Sequence, residues 1–515
     1  MSTPDVKTTP TSGRVNMKPV FDAWRRKSVR RVALALLIIF TIIVVFNILA
    51  VSSPEVHVAP LPDNTHVKLF LRRSHEYCND IWDTKGVSGK EGYLPFEGNK
   101  QYELLQVHMI ARHGDRSPVY DTFLSKGFQL SCGLPKQENH WASLSNFVVK
   151  RLSGSGITPQ EDIDLFPGFS EHSCQPGELT HRGYKQHFQL GQFLRKQYNG
   201  RLINKAIKRD SDWTKNVFIH STYYPRTLAS AASFLLGFLP NKTSIRKSVP
   251  INYSQGTNLY SPPRGVTLTY RWCTRLREIT KTDSQNPEVQ AGKMFYSDVM
   301  QTLGDIYKKS PSKLPEPTVI VDNFLVRMCH KEKLPCYKHQ CVRLALAYRL
   351  LEYADWTIEH KYTTTSSILM MQQFMYNSIL KKMFEVTDKL ALGQNDYDKF
   401  LFYFAHDSTV TPLMTLLGIP PKKWIPYASR LVIELWRETS PSQADATGYG
   451  PYYVRILFNG LGYTQKLPLP ENSFVLVKDL VKLRAFKNFL TTGKFREKNS
   501  YDRECGIITT STQLV

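Results

Sequence analysis

An uncharged run of 20 residues, 32–51, interrupted only by Thr41 and Asn47, constrains this 515-residue chain more than any other feature. At about 1.5 Å of rise per residue, a helix of that length spans about 30 Å, the hydrocarbon thickness of a bilayer. Arg25, Arg26, Lys27, Arg30 and Arg31 lie directly before it, and no basic cluster opens the segment after it. The positive-inside rule therefore predicts a cytoplasmic tail over residues 1–31, a retained signal anchor over 32–51 and a long C-terminal part on the far side, a single-pass type II arrangement. A cleaved signal peptide fits less well, because the run is long and begins only after 31 residues.

Topology changes the meaning of the charge. The chain carries a formal +23, of which residues 1–31 hold +6, leaving +17 on the lumenal or extracellular side. Nucleic acid is rarely met there, so the basic balance points to acidic glycans or anionic substrates. Two N-glycosylation acceptors, Asn241-Lys-Thr243 and Asn252-Tyr-Ser254, agree with that compartment. So do the eight cysteines, an even number that predicts four disulfides, with a local bridge inside the trio Cys329, Cys336 and Cys341. A zinc site built from that trio with His330 and His339 fits no standard spacing.

Residues 52–98 are rich in Pro and Gly and read as a lumenal stem. Cys78 ties the later half of that stem to the folded domain, which covers 99–505, and 506–515 form a tail. Within the domain, apolar runs at 104–111, 216–221 and 402–405 have the continuous character of strands buried on both faces. Residues 431–436 and 453–458 suit an antiparallel pair. Helix signals alternate with them: Thr180 as an N-cap with Gly200 as a stop, and Thr411-Pro412 as an opening with Gly418 just past the end. The fold class is α/β, a mixed, mainly parallel sheet flanked by helices. Residues 137–175 and 245–345, richer in Pro, Cys and charge, predict an inserted, mostly helical cap.

Three of these strands end in residues suited to a phosphate. The first runs into Arg112-His113-Gly114-Asp115-Arg116-Ser117-Pro118, the second is followed by Arg226, and the third by His406-Asp407. Ligands of open α/β sheets bind beyond the carboxyl ends of the strands. Arginine forks match phosphate oxygens two at a time, and cationic neighbours keep His113 neutral and nucleophilic. Gly114 would let the backbone approach the ligand. Asp407 could protonate a leaving alkoxide. Singly, each residue has a plainer reading as a loop, capping or solvated group; the heptapeptide at the end of a buried strand does not.

Arg112-His113-Gly114-x-Arg116-x-Pro118, followed much later by His406-Asp407, resembles the histidine acid phosphatase branch of the phosphoglycerate-mutase-like superfamily. Gly177-Glu178-Leu179-Thr180-x-x-Gly183 and Tyr224-Pro225-Arg226-Thr227-x-x-Ser230 extend the resemblance across 99–505. It implies a phosphomonoesterase in which His113 becomes a phosphohistidine, Asp407 protonates the leaving group, and Arg112, Arg116, Arg226 and His406 bind the phosphate without metal or cofactor. The anchor, Met328-Cys329-His330 through Leu334-Pro335-Cys336 to Cys341-Val342, and Tyr501-Asp502-x-x-Cys505 resemble a member that acts on phosphorylated xylose in the glycosaminoglycan–protein linkage region. That likeness implies a Golgi membrane protein with a lumenal catalytic domain and a phosphorylated sugar or proteoglycan as partner. A broad acid phosphatase and an inert glycan-binding relative are the competing readings; the second predicts loss of a key residue, and all six are present.

Overall fold

A computed structural model describes residues 63–79, 89–94, 102–120, 122–151, 168–254, 278, 281–282, 285–362, 371–372, 374–439, 450–475 and 479–491. The apolar run 32–51 lies outside them, as do Cys273 and Cys505 and the tail; among the described residues no helix is long and apolar enough to cross a membrane.

The body is built on one ten-stranded sheet. Its strands in chain order are β1 (Tyr102–Arg112), β2 (Val149–Arg151), β3 (Val217–Thr222), β4 (Ile251–Ser254), β5 (Phe400–Ala405), β6 (Arg430–Glu438), β7 (Tyr452–Phe458), β8 (Leu461–Gly462), β9 (Phe474–Val475) and β10 (Leu480–Lys482). The spatial order is β9-β10-β7-β6-β1-β5-β3-β4-β2, with β8 beside β7. From β1 through β5, β3 and β4 to β2 every pairing is parallel. From β1 outward through β6, β7 and β10 every pairing is antiparallel. The sheet is therefore mixed, with a parallel half that carries the three motif-bearing strands.

Alternation along the central strands explains why they read as continuous apolar runs. Phe400, Phe402 and Phe404 face one core with Val107, Met109 and Ala111, whereas Leu401, Tyr403 and Ala405 face the opposite core with Ile110, Leu431, Ile433 and Leu435. A strand covered on both sides is mostly apolar, and the polar exceptions on β1 and β3, Gln106, His108 and His220, are themselves buried. The first core is closed by α2 (His181–Tyr198) and α3 (Pro225–Phe238); a helical unit of α1 (Asp63–Cys78), α4 (Pro317–Cys329) and α5 (Leu344–Tyr362) has its own core; and α6 (Lys381–Ala391), α7 (Asp407–Leu416) and α8 (Leu483–Thr491) close the second.

Several expectations shift. Residues 63–78 are not a stem but a helix whose Phe70 and Tyr77 are buried against α4 and α5. Polar residues outnumber apolar ones there because only one face is covered. The segments 137–175 and 245–345 are not wholly cap: β2 and β4 arise inside them and extend the main sheet. Pro412 does not open its helix, which starts at Asp407 and takes the proline in its interior; Gly418 closes it at φ +73, a backbone conformation that suits glycine. Thr180 caps α2 as expected, accepting from the Gly183 amide at 3.2 Å, but the chain runs on through a π turn (Asn199–Ile203) past Gly200.

Among the described residues, three disulfides join Cys78 to Cys329, Cys132 to Cys174 and Cys336 to Cys341. The local bridge predicted within the trio is Cys336–Cys341. With Cys329 also paired, the trio has no thiolate to offer a metal.

Candidate active site

Register brings the motif strands to a common edge. Arg112 on β1 is paired with Ala405 on β5, and Ser221 on β3 with Phe404, so the three strands end within about a residue of one another. Because β6 runs antiparallel to β1, with Ala111 opposite Arg430, the segment 424–429 enters at this same edge. Four distant parts of the chain therefore converge on one crevice, where the sheet changes from parallel to antiparallel.

His113 is buried, 2% exposed, directly past β1. Its amide donates to Ala405 O at 3.0 Å, and its carbonyl accepts from Ala428 N at 3.0 Å, with Ala428 held at φ +50. The ring Nδ1 lies 2.8 Å from Gly114 O. A carbonyl only accepts, so Nδ1 carries the proton and Nε2 keeps its lone pair. Burial, then Arg226, Arg112, Arg116 and His406, hold the His113 pKa well below the usual imidazole value. The His113 ring is thus neutral, in the tautomer that leaves Nε2 able to act as a nucleophile.

Arg112 is fully buried. Its Nη1 donates to Ile425 O, its Nη2 donates to Tyr77 Oη at 2.9 Å, and its guanidinium lies 4.7 Å from the Tyr427 ring. Arg116 makes a two-pronged pair with Asp322, at 3.0 and 2.9 Å. The Nε of each of these two arginines is buried with no hydrogen-bond partner among the described residues. Such donors are costly unless an acceptor arrives, and phosphate oxygens supply one. Arg226 stands in the first turn of α3, with Nη2 3.3 Å from His406 Nδ1.

That contact defines the second histidine. Arginine only donates, so His406 Nδ1 accepts, and its Nε2–H donates to Thr222 Oγ1 at 2.9 Å. Thr222 Oγ1 is in turn 2.8 Å from Thr227 Oγ1, which donates to the Tyr224 and Thr222 carbonyls. The relay ends on backbone acceptors and fixes a neutral His406, whose pKa burial and Arg226 push well down. In this arrangement His406 orients Arg226. The rings of His113 and His406 are 5.5 Å apart.

Asp407 begins α7. Its Oδ2 accepts from Trp424 Nε1 and lies 3.6 Å from Arg112 Nη2, and its Oδ1 accepts from the Ser408 amide at 2.9 Å. Burial opposes ionisation, but Arg112, the Trp424 bond, His406 and Arg116 outweigh it and bring the pKa to about 2. The free enzyme therefore holds a carboxylate here.

Two motif residues also hold the loop in place. Gly114 serves helix packing: a Cβ there would stand 2.5 Å from Gly183 O, and one at Gly183 would stand 2.1 Å from Asp115 O. The two glycines let the catalytic loop lie on the start of α2. Ser117 bonds to Gln175 O at 2.6 Å and accepts from Glu178 N at 3.1 Å, which fixes the loop. Buried Asp115 accepts from Thr180 Oγ1 at 2.5 Å and lies 2.7 Å from His330 Nε2.

Tyr77, Asp322, Thr222, Trp424 and Tyr427 were not expected from the sequence. Only Asp322 left a signal, as a lone acid among Val319, Ile320, Val321, Phe324 and Leu325 in the apolar α4. The two sequons differ in setting. Asn241 is exposed in the turn after α3, whereas Asn252 is half-buried on β4 with Nδ2 donating to Ile219 O at 3.0 Å.

Known phosphatases are similar to this chain. Rat (Rattus norvegicus) 2-phosphoxylose phosphatase 1 is 28% identical over 399 residues, covering 75% of this chain and 76% of its own. Human (Homo sapiens) prostatic acid phosphatase is 26% identical over 376 residues, covering 72% and 80%. The crystal structure of Klebsiella sp ASR1 phytase is similar with a TM-score of 0.46 and 16% identity, covering 80% of this chain and 97% of that one. The model of the histidine phosphatase superfamily (branch 2) matches residues 103–318 and 353–459. Matched over more than half of its length, the chain belongs to branch 2 of the histidine phosphatase superfamily and is a phosphomonoesterase.

Proposed function

We propose that this enzyme removes the 2-phosphate of xylose in the glycosaminoglycan–protein linkage region, acting as a type II Golgi membrane protein with its catalytic body in the lumen. The observation that carries the chemistry is a buried, neutral His113 with Nε2 free, surrounded by Arg112, Arg116 and Arg226 and close to Asp407. The choice of sugar is supported by relatives named 2-phosphoxylose phosphatase 1, which share three-quarters of the chain. The +17 beyond residue 31 supports an acidic proteoglycan partner. The anchor and orientation rest on the apolar run and the basic cluster before it.

The reaction is a double displacement. His113 Nε2 attacks phosphorus and the bond to the sugar oxygen breaks. Asp407, having taken the proton that a substrate monoanion brings, gives it to the departing oxygen. Asp407, again a carboxylate, takes a proton from water as the water attacks phosphorus and the bond to His113 Nε2 breaks, then passes that proton to the departing phosphate, so that neutral His113, the Asp407 carboxylate and inorganic phosphate monoanion remain. The arginines hold the equatorial oxygens, where charge accumulates.

The purified enzyme is expected to turn over a phosphorylated xylose linkage oligosaccharide with a higher kcat/KM than an aryl phosphate. Acid-labile label from substrate should appear on wild type and vanish in His113→Ala. Equal efficiency on both substrates would assign a broad acid phosphatase instead, and label retained in the variant would remove the covalent role. Protease digestion of sealed microsomes checks topology: a digested C-terminal body would refute the lumenal assignment.

A further inference from the structure

The family match begins at residue 103, yet a side chain well upstream of it touches the phosphate site. Tyr77, in the last turn of α1, is 2% exposed. Its hydroxyl accepts from Arg112 Nη2 at 2.9 Å, and the Arg112 guanidinium lies 5.1 Å from its ring. The same ring packs on Tyr427 at 4.8 Å and on Trp424 at 5.5 Å; Trp424 is the residue that donates to Asp407.

The end of α1 is fastened on every side. Cys78 is bridged to Cys329 at the end of α4. Asn79 Nδ2 donates to Tyr427 O at 2.6 Å, and Tyr427 N donates to Tyr77 O at 3.1 Å. One turn earlier, Arg73 pairs with Asp355 at 2.5 Å, and Asp355 accepts from the Trp424 amide at 2.7 Å. A hydrogen bond between rigid groups orients better than one from a mobile side chain.

Arg112 has three nitrogens. One N–H of Nη1 donates to Ile425 O and one of Nη2 to Tyr77, while Nε is buried with no partner among the described residues. Two fixed bonds set the plane of the guanidinium, and with it the direction in which Nε–H is offered. Nη2 also lies 3.6 Å from the Asp407 carboxylate and, without the Tyr77 hydroxyl, would turn toward it.

We propose that Tyr77 is a positioning residue for Arg112, so that α1, which precedes the family region, is a working part of the phosphate site. This rests on the reading of Arg112 as a phosphate ligand. Tyr77→Phe keeps the ring and its packing and removes only the acceptor; Tyr77→Leu removes both.

The test measures inhibition by inorganic phosphate, steady-state turnover of nitrophenyl phosphate and melting temperature for the full chain in detergent. The variants are Tyr77→Phe, Tyr77→Leu and Arg112→Ala. For Tyr77→Phe the phosphate Ki and the KM should rise together roughly tenfold, the scale of a hydrogen bond to a charged group, with kcat little changed. Tyr77→Leu should show a larger rise. Ki does not depend on the active fraction, so it stays readable if a variant is partly unfolded. A lowered kcat or melting temperature with wild-type Ki in both Tyr77 variants would mean a structural role and overturn the proposal. If Arg112→Ala loses phosphate affinity and Tyr77→Phe does not, positioning alone fails; if Arg112→Ala also keeps wild-type Ki, the phosphate-site reading fails with it.

Discussion

Replacing Asp407 with Asn separates proton donation from phosphate binding. The carboxylate accepts from Trp424 Nε1 through one oxygen and from the Ser408 amide through the other, and faces Arg112 Nη2 at 3.6 Å. An amide of the same shape can satisfy one of these donors and must turn its NH2 toward the other. That conflict costs about 1–3 kcal/mol of stability and applies to every substrate equally. The lost proton does not. A sugar alkoxide is a poor leaving group, so phosphoenzyme formation from a phosphosugar should slow by ~10²–10⁴-fold. A nitrophenolate departs without help, so the same step should slow by less than about tenfold. Removing the negative charge beside Arg112 should also leave phosphate binding unweakened or tighten it. Rapid-quench single-turnover measurement on both substrates isolates phosphorylation from the later hydrolysis, in which Asp407 would act as base. An equal loss on both substrates, or a weakened phosphate Ki, would refute the donor role and leave Asp407 as a structural partner of Arg112.

Gly183→Ala should destabilise the protein and abolish activity, because the added methyl would stand 2.1 Å from Asp115 O in the catalytic loop; thermal unfolding and turnover check this, and wild-type values would refute the packing argument. Asp322→Ala leaves Arg116 buried without its carboxylate and should cost about 3–5 kcal/mol of stability, read by urea unfolding. Stability should fall as pH drops below about 6.5, because burial holds His108 and His187 at about 3 and His220 at about 4 while the unfolded chain takes up their protons. By pH 5 each contributes a loss of about 2 kcal/mol, which replacing one of them with a neutral apolar residue should reduce; an unfolding free energy flat between pH 7 and 5 would contradict this.

What could be read from the sequence came from local physics. The strands 102–112 and 400–405 announced themselves because burial on both faces favours a largely apolar run, and the residues just beyond them were legible as a dense motif. Thr180 was legible because an N-cap acts within three residues. The three-residue β2 and four-residue β4 were not, since strands so short leave no periodicity inside segments rich in charge. Helix α1 was hidden by its polar outer face. Tyr77, Trp424 and Tyr427 act on Arg112 only through tertiary contact, and an isolated aromatic residue has no spacing to betray it.

The central place of β1 has a consequence for biosynthesis. Val107 on this early strand is paired with Phe400 on one side and Glu434 on the other. Translation at about 5–20 residues per second leaves roughly 15–60 s between its appearance and that of its first neighbour. Throughout that interval a largely apolar strand has both edges open, and the helices α2 and α3 that cover one of its faces emerge only partway through it, which invites pairing with other nascent chains. The same delay applies to Cys78, whose correct oxidation must wait for Cys329 while Cys132 and Cys174 emerge between them. Maturation is therefore expected to depend on chaperones that mask β1 and on an isomerase that can undo premature bridges to Cys78.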